Sequence, residues 1–573
     1  MIPARLPGRR VAAPLVAIAA LAVLALCTTA WTTFDRGLFQ DDAQVLWDVR
    51  HQPTFLAQVW QPIASATRRL QGTPYAIALR MPDTLDGILL LTELLPFGVA
   101  LVAMAITRVA ALVTWPWAFL AGALTITATS DWLTASPVAL GYQMAVLLFV
   151  SGVLGLLRWA RFGGRLAFAA ALVCGTASLW TIDAATTVYP IVPLLGYLAA
   201  DDDAGRRRAT RLAWTWWLVA VPYYVLFVAF LLDTDSYAAT AVLDRPWWHR
   251  LARLALLVLH NVTPWRWAWA RGEWFGPMPW PPLGHTIVAV ATGLATTAVV
   301  FRWLRGQPAG SHDDDPWRGM TMASVFATCT VLANATYMSV HLAFLYYRTH
   351  VHARVWWSMA LALGLAWLAR QGVRQARVAV AIAVLFLGTG IAGGVERQVF
   401  FRDAWTRHRV ELASLAEALP PAPAHLVLTR HADPGAYVAT QVPYLARFWA
   451  GLLGSDLWDM CRVSLVAPLK ETTCHAEADR LVCEVAVNRT NARCGPTAGR
   501  AEIPYDRLVV ADYDAATNRY EVVSTLPEAF TPAGDAADRA RAAYAPHALA
   551  PGAVREPFAR RLLRLDATPA APR

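Results

Sequence analysis

Eleven runs of mostly apolar residues occupy the first 400 positions, near 11–33, 86–107, 109–129, 138–157, 166–182, 184–200, 212–232, 284–304, 319–341, 353–370 and 376–395. Each is roughly 17 to 25 residues long, enough for an α-helix to cross the ~30 Å hydrocarbon core of a bilayer. The pattern therefore predicts a polytopic α-helical membrane protein with about 11 transmembrane helices. Beyond about residue 400 the period changes. Runs at 425–430, 462–468, 481–487, 507–514 and 519–524 are β-rich and bounded by turn residues, and 442–453 has helical spacing. The chain thus divides into a membrane domain (1–400), a C-terminal α/β domain (401–530) and an Ala/Pro/Arg-rich tail (531–573) with a short basic helix at 556–565.

Composition sharpens this picture. Hydrophobic residues make up 57% and charged residues 16%, with 26 Trp, which excludes an ordinary soluble chain. Mean hydropathy is only +0.38, so a water-facing part is expected. The net charge of +10 sits in short clusters between apolar runs rather than on one face, which fits membrane orientation and not nucleic acid. Lys470 is the only lysine, so arginine carries nearly all the positive charge, a mark of genome composition typical of G+C-rich bacteria.

With the N-terminus cytoplasmic, the short inside connections hold 17 arginines and the longer outside ones hold 12, and the alternation holds at every turn. An odd number of spans then places the C-terminal domain outside the inner (plasma) membrane. The first run has the basic start of a signal peptide, but its core is longer than usual and it reads as a retained helix. Cys461, Cys474, Cys483 and Cys494 form an even set in the external part, which an oxidising compartment pairs as disulfides in one of three connectivities. Zinc competes with that reading, though no C-x-x-C pair is present.

Chemistry is concentrated first in "TTFDRGLFQDDAQVLW", residues 32–47, which places Asp35, Asp41 and Asp42 just beyond the first span. The following residues, 43–60, read as an amphipathic segment lying on the bilayer surface. A helix cap accounts for one of these aspartates. Adjacent carboxylates also bind a divalent cation or take a proton from an attacking hydroxyl.

A cytoplasmic N-terminus, an acidic pair in "QDDAQ" (40–44) right after the first helix, a surface helix behind it and an external C-terminal module together resemble the GT-C superfamily. These glycosyltransferases use polyprenyl-phosphate-linked sugars. The resemblance covers the layout of residues 1–400, and its residue-level support is that short stretch. It implies transfer, with inversion, of a sugar from a polyprenyl-phosphate donor to an extracytoplasmic glycan, lipid or protein. It also implies Asp41 or Asp42 as catalytic base; a divalent cation, manganese or magnesium, would fall to the same pair if one is used. The C-terminal module matches no family.

Cations for the donor phosphate are sought in "YYRTHVHARVWW", 346–357, where Arg348, His350, His352 and Arg354 alternate; snorkelling arginines at an interface are the plainer reading. With Asp35 these form the expected substrate-binding set. The segment 233–283 combines a surface-lying amphipathic helix, carrying Arg245, Arg250 and Arg253 on its polar side, with an aromatic belt of five tryptophans. Glu273, in the same segment, is a weak candidate for a second acidic residue. Asp131 and Asp183 fall at span ends, where an acid is a functional suspect or a helix cap. Asn261-Val-Thr and Asn488-Arg-Thr are sequons that matter only in a eukaryotic secretory pathway. Competing functions are an O-antigen polymerase or ligase, which uses external Arg and His, a transporter, which wants charges midway along helices, and a non-catalytic membrane scaffold.

Overall fold

The computed structural model describes residues 8–36, 45–46, 49–50, 52–60, 67–111, 113–129, 139–232, 246–265, 282–306, 316–338, 350–418, 425–428, 465–466, 472–485, 499–530, 534–544 and 561. Two compact units emerge. Met1–Phe34, Gln52–Glu273 and Met278–Phe401 form the first; Asp35–His51, Trp274–Pro277 and Arg402–Arg573 form the second.

The first unit is a helix bundle. Its main helices are α1 (Gly8–Ala25, continued by a π turn to Ala30), α2 (Thr84–Ala111), α3 (Trp115–Thr127), α4 (Leu140–Phe162), α5 (Arg165–Thr181), α6 (Val192–Ala199), α7 (Asp203–Leu232), α8 (Trp247–Val262), α9 (Leu283–Arg305), α10 (Pro316–Ala335) and α11 (His350–Arg370). The last, α12 (Val373–Ala418), begins here and ends in the second unit. Each of the eleven apolar runs overlaps a helix, but α6 covers only 8 residues of the run at 184–200 and α3 only 13 of that at 109–129, so the runs do not all become spans. Among the described residues, six helical segments are long and apolar enough to cross a membrane: Ala12–Asp35, Thr84–Ala111, Leu140–Phe162, Asp203–Leu232, Leu283–Arg305 and Val373–Ser414. The protein is a membrane protein on that ground. α3, with 13 residues, is buried along nearly its whole length, so its hydrophobicity serves the bundle interior.

Small residues let these helices approach. A Cβ added at Gly152 would lie 2.7 Å from the Gly175 backbone nitrogen, and one at Gly155 would lie 2.7 Å from that of Ala171. α4 and α5 therefore pack almost backbone to backbone, as lipid-embedded helices do when dispersion must replace the hydrophobic effect. Gly163 and Gly164, at φ +70° and +99°, make the two-residue turn between them, which a residue with a Cβ adopts only under strain.

One end of the bundle is tied by arginine. Arg161 donates from Nε and NH2 to Asp201 Oδ2 at 3.0 and 2.8 Å, and from NH1 to the Val109 carbonyl. Arg318 donates to Asp201 Oδ1 and to the Ala110 and Ala199 carbonyls. Arg208 caps α4 through the Ala160 and Arg161 carbonyls, both at 3.0 Å. All three arginines belong to connections expected on the cytoplasmic side, and here they converge on one end.

Among its described residues the second unit holds a four-stranded sheet and a three-stranded one. β1 (His425–Leu428) lies between β2 (Leu465–Val466) and β6 (Leu508–Asp514), parallel to both, and β7 (Arg519–Val522) pairs antiparallel with β6. β3 (Thr472–Ala476), β4 (Arg480–Val485) and β5 (Gly499–Pro504) form an antiparallel meander. Ala476, Leu481, Ile503, Leu508 and Val510 share a core with α13 (Asp535–Ala543), closed by Tyr544, whose hydroxyl accepts from Val510 N and donates to Val523 O. Cys474 and Cys483 are cross-strand partners on β3 and β4. Cys461, Cys494 and the expected helix at 442–453 lie outside the described residues.

Burial alone would raise the Asp201 carboxyl, but its bonds to Arg318 and Arg161 outweigh it and hold it below the usual carboxylate range. The stabilisation is complete above an ordinary carboxylate pKa of about 4 and is lost as pH falls through the lower folded value. Asp201→Asn is expected to melt about 2–4 °C below wild type at pH 7, since the carboxylate is half exposed and contributes about 1 kcal/mol. The gap closes in melts taken below pH 3; a gap unchanged with pH would contradict the ion-pair account.

Candidate functional site

The opposite end of the bundle gathers polar groups. Threonines of α1 and α3 reach it by bonding back to their own helices, Thr28 to Leu24 O at 2.7 Å and Thr127 to Ala123 O at 2.9 Å. Glycines of α12 pack directly on them: a Cβ at Gly390 would strike the Thr127 carbonyl, and one at Gly394 would lie 2.6 Å from the Thr28 carbonyl. Beside this contact Gln398 Oε1 accepts from Thr32 N at 3.1 Å, and Arg354 NH1 donates to Ala128 O at 2.9 Å.

A second group surrounds Asp183. The loop after residue 67 is pinned to α5 by Leu70 N donating to Trp180 O at 2.8 Å. That brings Arg68 Nε to 2.9 Å from Asp183 Oδ2. Tyr223 of α7 donates to Asp183 Oδ1 at 3.0 Å and meets Thr186 Oγ1 at 2.9 Å. Asp183 also opens a 3-10 turn, its carbonyl accepting from Thr186 N at 3.2 Å and Oγ1 at 2.7 Å. Both carboxylate oxygens are thus engaged, which suits an anchor rather than a proton acceptor. Burial would lower the Arg68 guanidinium, but the adjacent Asp183 charge wins and holds it above its usual range. Among the described residues Nε is the only Arg68 nitrogen with a hydrogen bond, and the side chain is 27% exposed. The arrangement presents a fixed cation with its outer edge available.

A third group joins α8, α10 and α11. Asn261 Nδ2 lies 2.7 Å from His350 Nδ1, 3.1 Å from Leu257 O and 3.4 Å from Asn334 Oδ1, and the His350 ring stacks on His260 at 4.7 Å. Thr187, next to the Asp183 turn, bonds Thr336 Oγ1 at 2.8 Å just beyond α10, so the second and third groups are continuous.

These positions qualify the expected site. The chain is helical from His350, so His350 and Arg354 share a face while His352 points elsewhere: it sits edge-on to Phe149 at 4.9 Å, beside the Ala184 backbone, and accepts from Trp356 Nε1 at 3.4 Å. The alternation along 346–357 does not by itself bring all its polar residues together. Asp35 closes the short 3-10 turn Thr33–Asp35 and is exposed. Asp41, Asp42, Arg348, Asp131 and the tryptophan-rich stretch at 266–281 lie outside the described residues. Among the described residues there is no group of three or more His, Cys, Asp or Glu suited to a metal ion.

α8 has the reverse of a soluble helix's polarity. Trp247, Trp248, Leu251, Leu256 and Leu259 face outward, while Leu257, His260 and Asn261 are buried. Such a helix meets lipid with its apolar stripe and the bundle with its polar one. Asn261 is fully buried, so its sequon is a coincidence of sequence. Arg68, Tyr223 and Asn334 were not singled out by motif, and Asn261 was noticed only as part of a sequon; the one available signal for the buried roles was a polar residue within or beside an apolar run.

No model of a known protein family matches the chain, and no curated protein is significantly similar to it. Among solved structures, ArnT from Cupriavidus metallidurans is similar both bound to undecaprenyl phosphate and in the apo state. Identity is 16% and the TM-score 0.33 in each case, over 74% of this chain and 84% and 83% of those chains. A likeness this distant says nothing of the activity of this chain.

Removing Asp183 strands the Arg68 charge at the bundle end. Asp183→Ala is expected to melt several degrees below wild type, and the double variant with Arg68→Leu is expected to recover most of that loss. Equal melting of Asp183→Ala and wild type would refute the anchor role.

Proposed function

We propose that this protein is an integral membrane glycosyltransferase that moves a sugar from a polyprenyl-phosphate donor to an extracytoplasmic glycan, lipid or protein, with inversion. The observation that carries the reading is one end of a membrane bundle built from buried, mutually fixed polar groups, including an Arg68 cation held by Asp183 and 27% exposed. Asp35, Asp41 and Asp42 follow Thr32 within ten residues of the sequence, and Thr32 N donates to Gln398 Oε1 at 3.1 Å.

The chemistry follows from these groups. The acceptor O–H gives its proton to Asp41 or Asp42 as its oxygen bonds to the anomeric carbon. The bond from that carbon to the phosphate oxygen breaks, and polyprenyl phosphate leaves with the electron pair. Phosphate is a stable leaving group, so the site chiefly needs positive charge and N–H donors to hold it. We assign that role to Arg68 and His350, with Arg348 and Arg354 flanking and Asp35 and His352 shaping the substrate pocket. If the transfer uses a divalent cation, manganese or magnesium, Asp41 and Asp42 are the ligands we propose for it.

The topology belongs to the same proposal: eleven passes, a cytoplasmic N-terminus and an external, disulfide-bearing C-terminal domain in the inner membrane. Maleimide applied to intact spheroplasts is expected to label the C-terminal cysteines only after a membrane-impermeant reductant. Labelling without reduction would overturn both the pairing and the sidedness.

Wild type, Asp41→Asn and Asp42→Asn in detergent, supplied with a panel of lipid-linked sugars with and without Mn²⁺ or Mg²⁺, provide the decisive comparison. One Asn variant is expected to lose about 10²–10⁴-fold in polyprenyl phosphate release while melting like wild type. Full turnover by both would remove the base from this mechanism.

A further inference from the structure

His350 carries a further role that the hydrogen bonds around it define. Asn334 Nδ2 donates to the Thr330 carbonyl at 2.8 Å, and a carbonyl only accepts, so the other side-chain atom of Asn334, Oδ1, is the one turned toward Asn261. The same reasoning applies one step further. Asn261 Nδ2 faces the Leu257 carbonyl at 3.1 Å and Asn334 Oδ1 at 3.4 Å, two groups that only accept, so that atom is the amide NH2.

His350 Nδ1 lies 2.7 Å from that NH2 and must therefore accept. An imidazolium, or the Nδ1–H tautomer, would place two hydrogens face to face. His350 is in consequence the neutral tautomer with its proton on Nε2. That N–H is buried, in a side chain with no exposed surface, and has no hydrogen-bond acceptor among the described residues. A buried donor left so is costly, and three helices commit polar contacts to keep it that way.

We propose that Asn334 and Asn261 are positioning residues that set the tautomer of His350 so that Nε2–H donates to a phosphate oxygen of the polyprenyl-linked donor. The proposal rests on the glycosyltransferase reading for the identity of the oxygen, and on the hydrogen bonds alone for the tautomer. The imidazole stays neutral throughout. It supplies a preoriented donor to charge that grows on the leaving phosphate, and gives up no proton.

The test uses the full chain in nanodiscs with ¹⁵N-labelled histidine, the His350 resonances being identified by their loss in His350→Gln. Wild type is expected to show His350 with a bare Nδ1 and a protonated Nε2, and the Nε2 signal is expected to shift on addition of polyprenyl phosphate. Asn261→Asp replaces the amide by a carboxylate that only accepts, and so draws a proton onto Nδ1. That variant is expected to lose about 10²-fold in kcat with KM nearly unchanged, the loss that follows removal of one preorganised donor.

Asn334→Ala, which keeps the Asn261 bond to the Leu257 carbonyl, is expected to lose less and to keep the wild-type tautomer; it serves where Asn261→Asp does not fold. An Nδ1-protonated His350 in wild type overturns the inference while leaving the transfer reading intact. So does an Nε2 signal indifferent to polyprenyl phosphate in an enzyme that turns over. Absence of turnover by wild type with every lipid-linked sugar, the tautomer being as stated, overturns the transfer reading and with it the phosphate as acceptor.

Discussion

Inside a bilayer there is no water to satisfy a polar group, and the bundle is organised around that constraint. Its threonines bond back to their own helices: Thr92 to Ile88, Thr107 to Ala103, Thr125 to Ala121 and Thr330 to Phe326, at 2.8 to 3.0 Å. A hydroxyl used in this way needs no partner on another helix, which leaves those positions free for packing. The groups that do require partners are driven to the helix ends, where carbonyls freed by the last turn accept from Arg161, Arg318, Arg208 and Arg354.

Close packing follows from the same constraint. Where hydrophobic association is weak, helices hold by contact area, and glycine gives the most. Gly152 and Gly155 on α4 and Gly390 and Gly394 on α12 admit neighbouring backbones that no side chain would allow. The second pair lies against Thr127 and Thr28, so the tightest crossing in that region adjoins the polar end. A rigid crossing there fixes the ends of α1 and α3, and with them Thr32 and the Ala128 carbonyl that holds Arg354.

The helices were legible in the sequence because length and hydropathy are local properties; eleven apolar runs fell on helices. What the runs do not encode is whether a helix faces lipid or protein. α3 and α7 read alike, yet α3 is buried almost throughout while Trp214, Leu218 and Leu232 of α7 are exposed. In the C-terminal region the β-rich runs became β1, β2, β4, β6 and β7, while β3 and β5 were missed because Thr, Cys, His and Arg, Ala, Glu sequences lack a regular apolar alternation. The candidate site was legible only in part. Asp183 was visible as an acid at a helix end, but Arg68 is 115 residues away and Tyr223 lies within an apolar run, so their convergence depends on tertiary structure. Asn261 was noticed only as part of a sequon, which says nothing of its buried hydrogen bonds.

The two central groups at the polar end differ in how far their bonding is completed, and that difference separates their roles. Asp183 has both oxygens engaged by Arg68 and Tyr223, and its own turn is closed by Thr186. Nothing remains for it to give, and its effect is to hold Arg68. His350 is held as firmly on one side, through Asn261 and Asn334, yet its other nitrogen is a donor without an acceptor among the described residues. A fold that merely tolerated a buried histidine would gain by pairing both nitrogens or by replacing the ring with an apolar one of similar size. Fixing one nitrogen through two asparagines and leaving the other unmet makes sense where the missing acceptor arrives with the substrate. Thr187 and Thr336 connect the two groups, so the cation at Arg68 and the donor at His350 are parts of one rigid scaffold rather than two separate polar accidents.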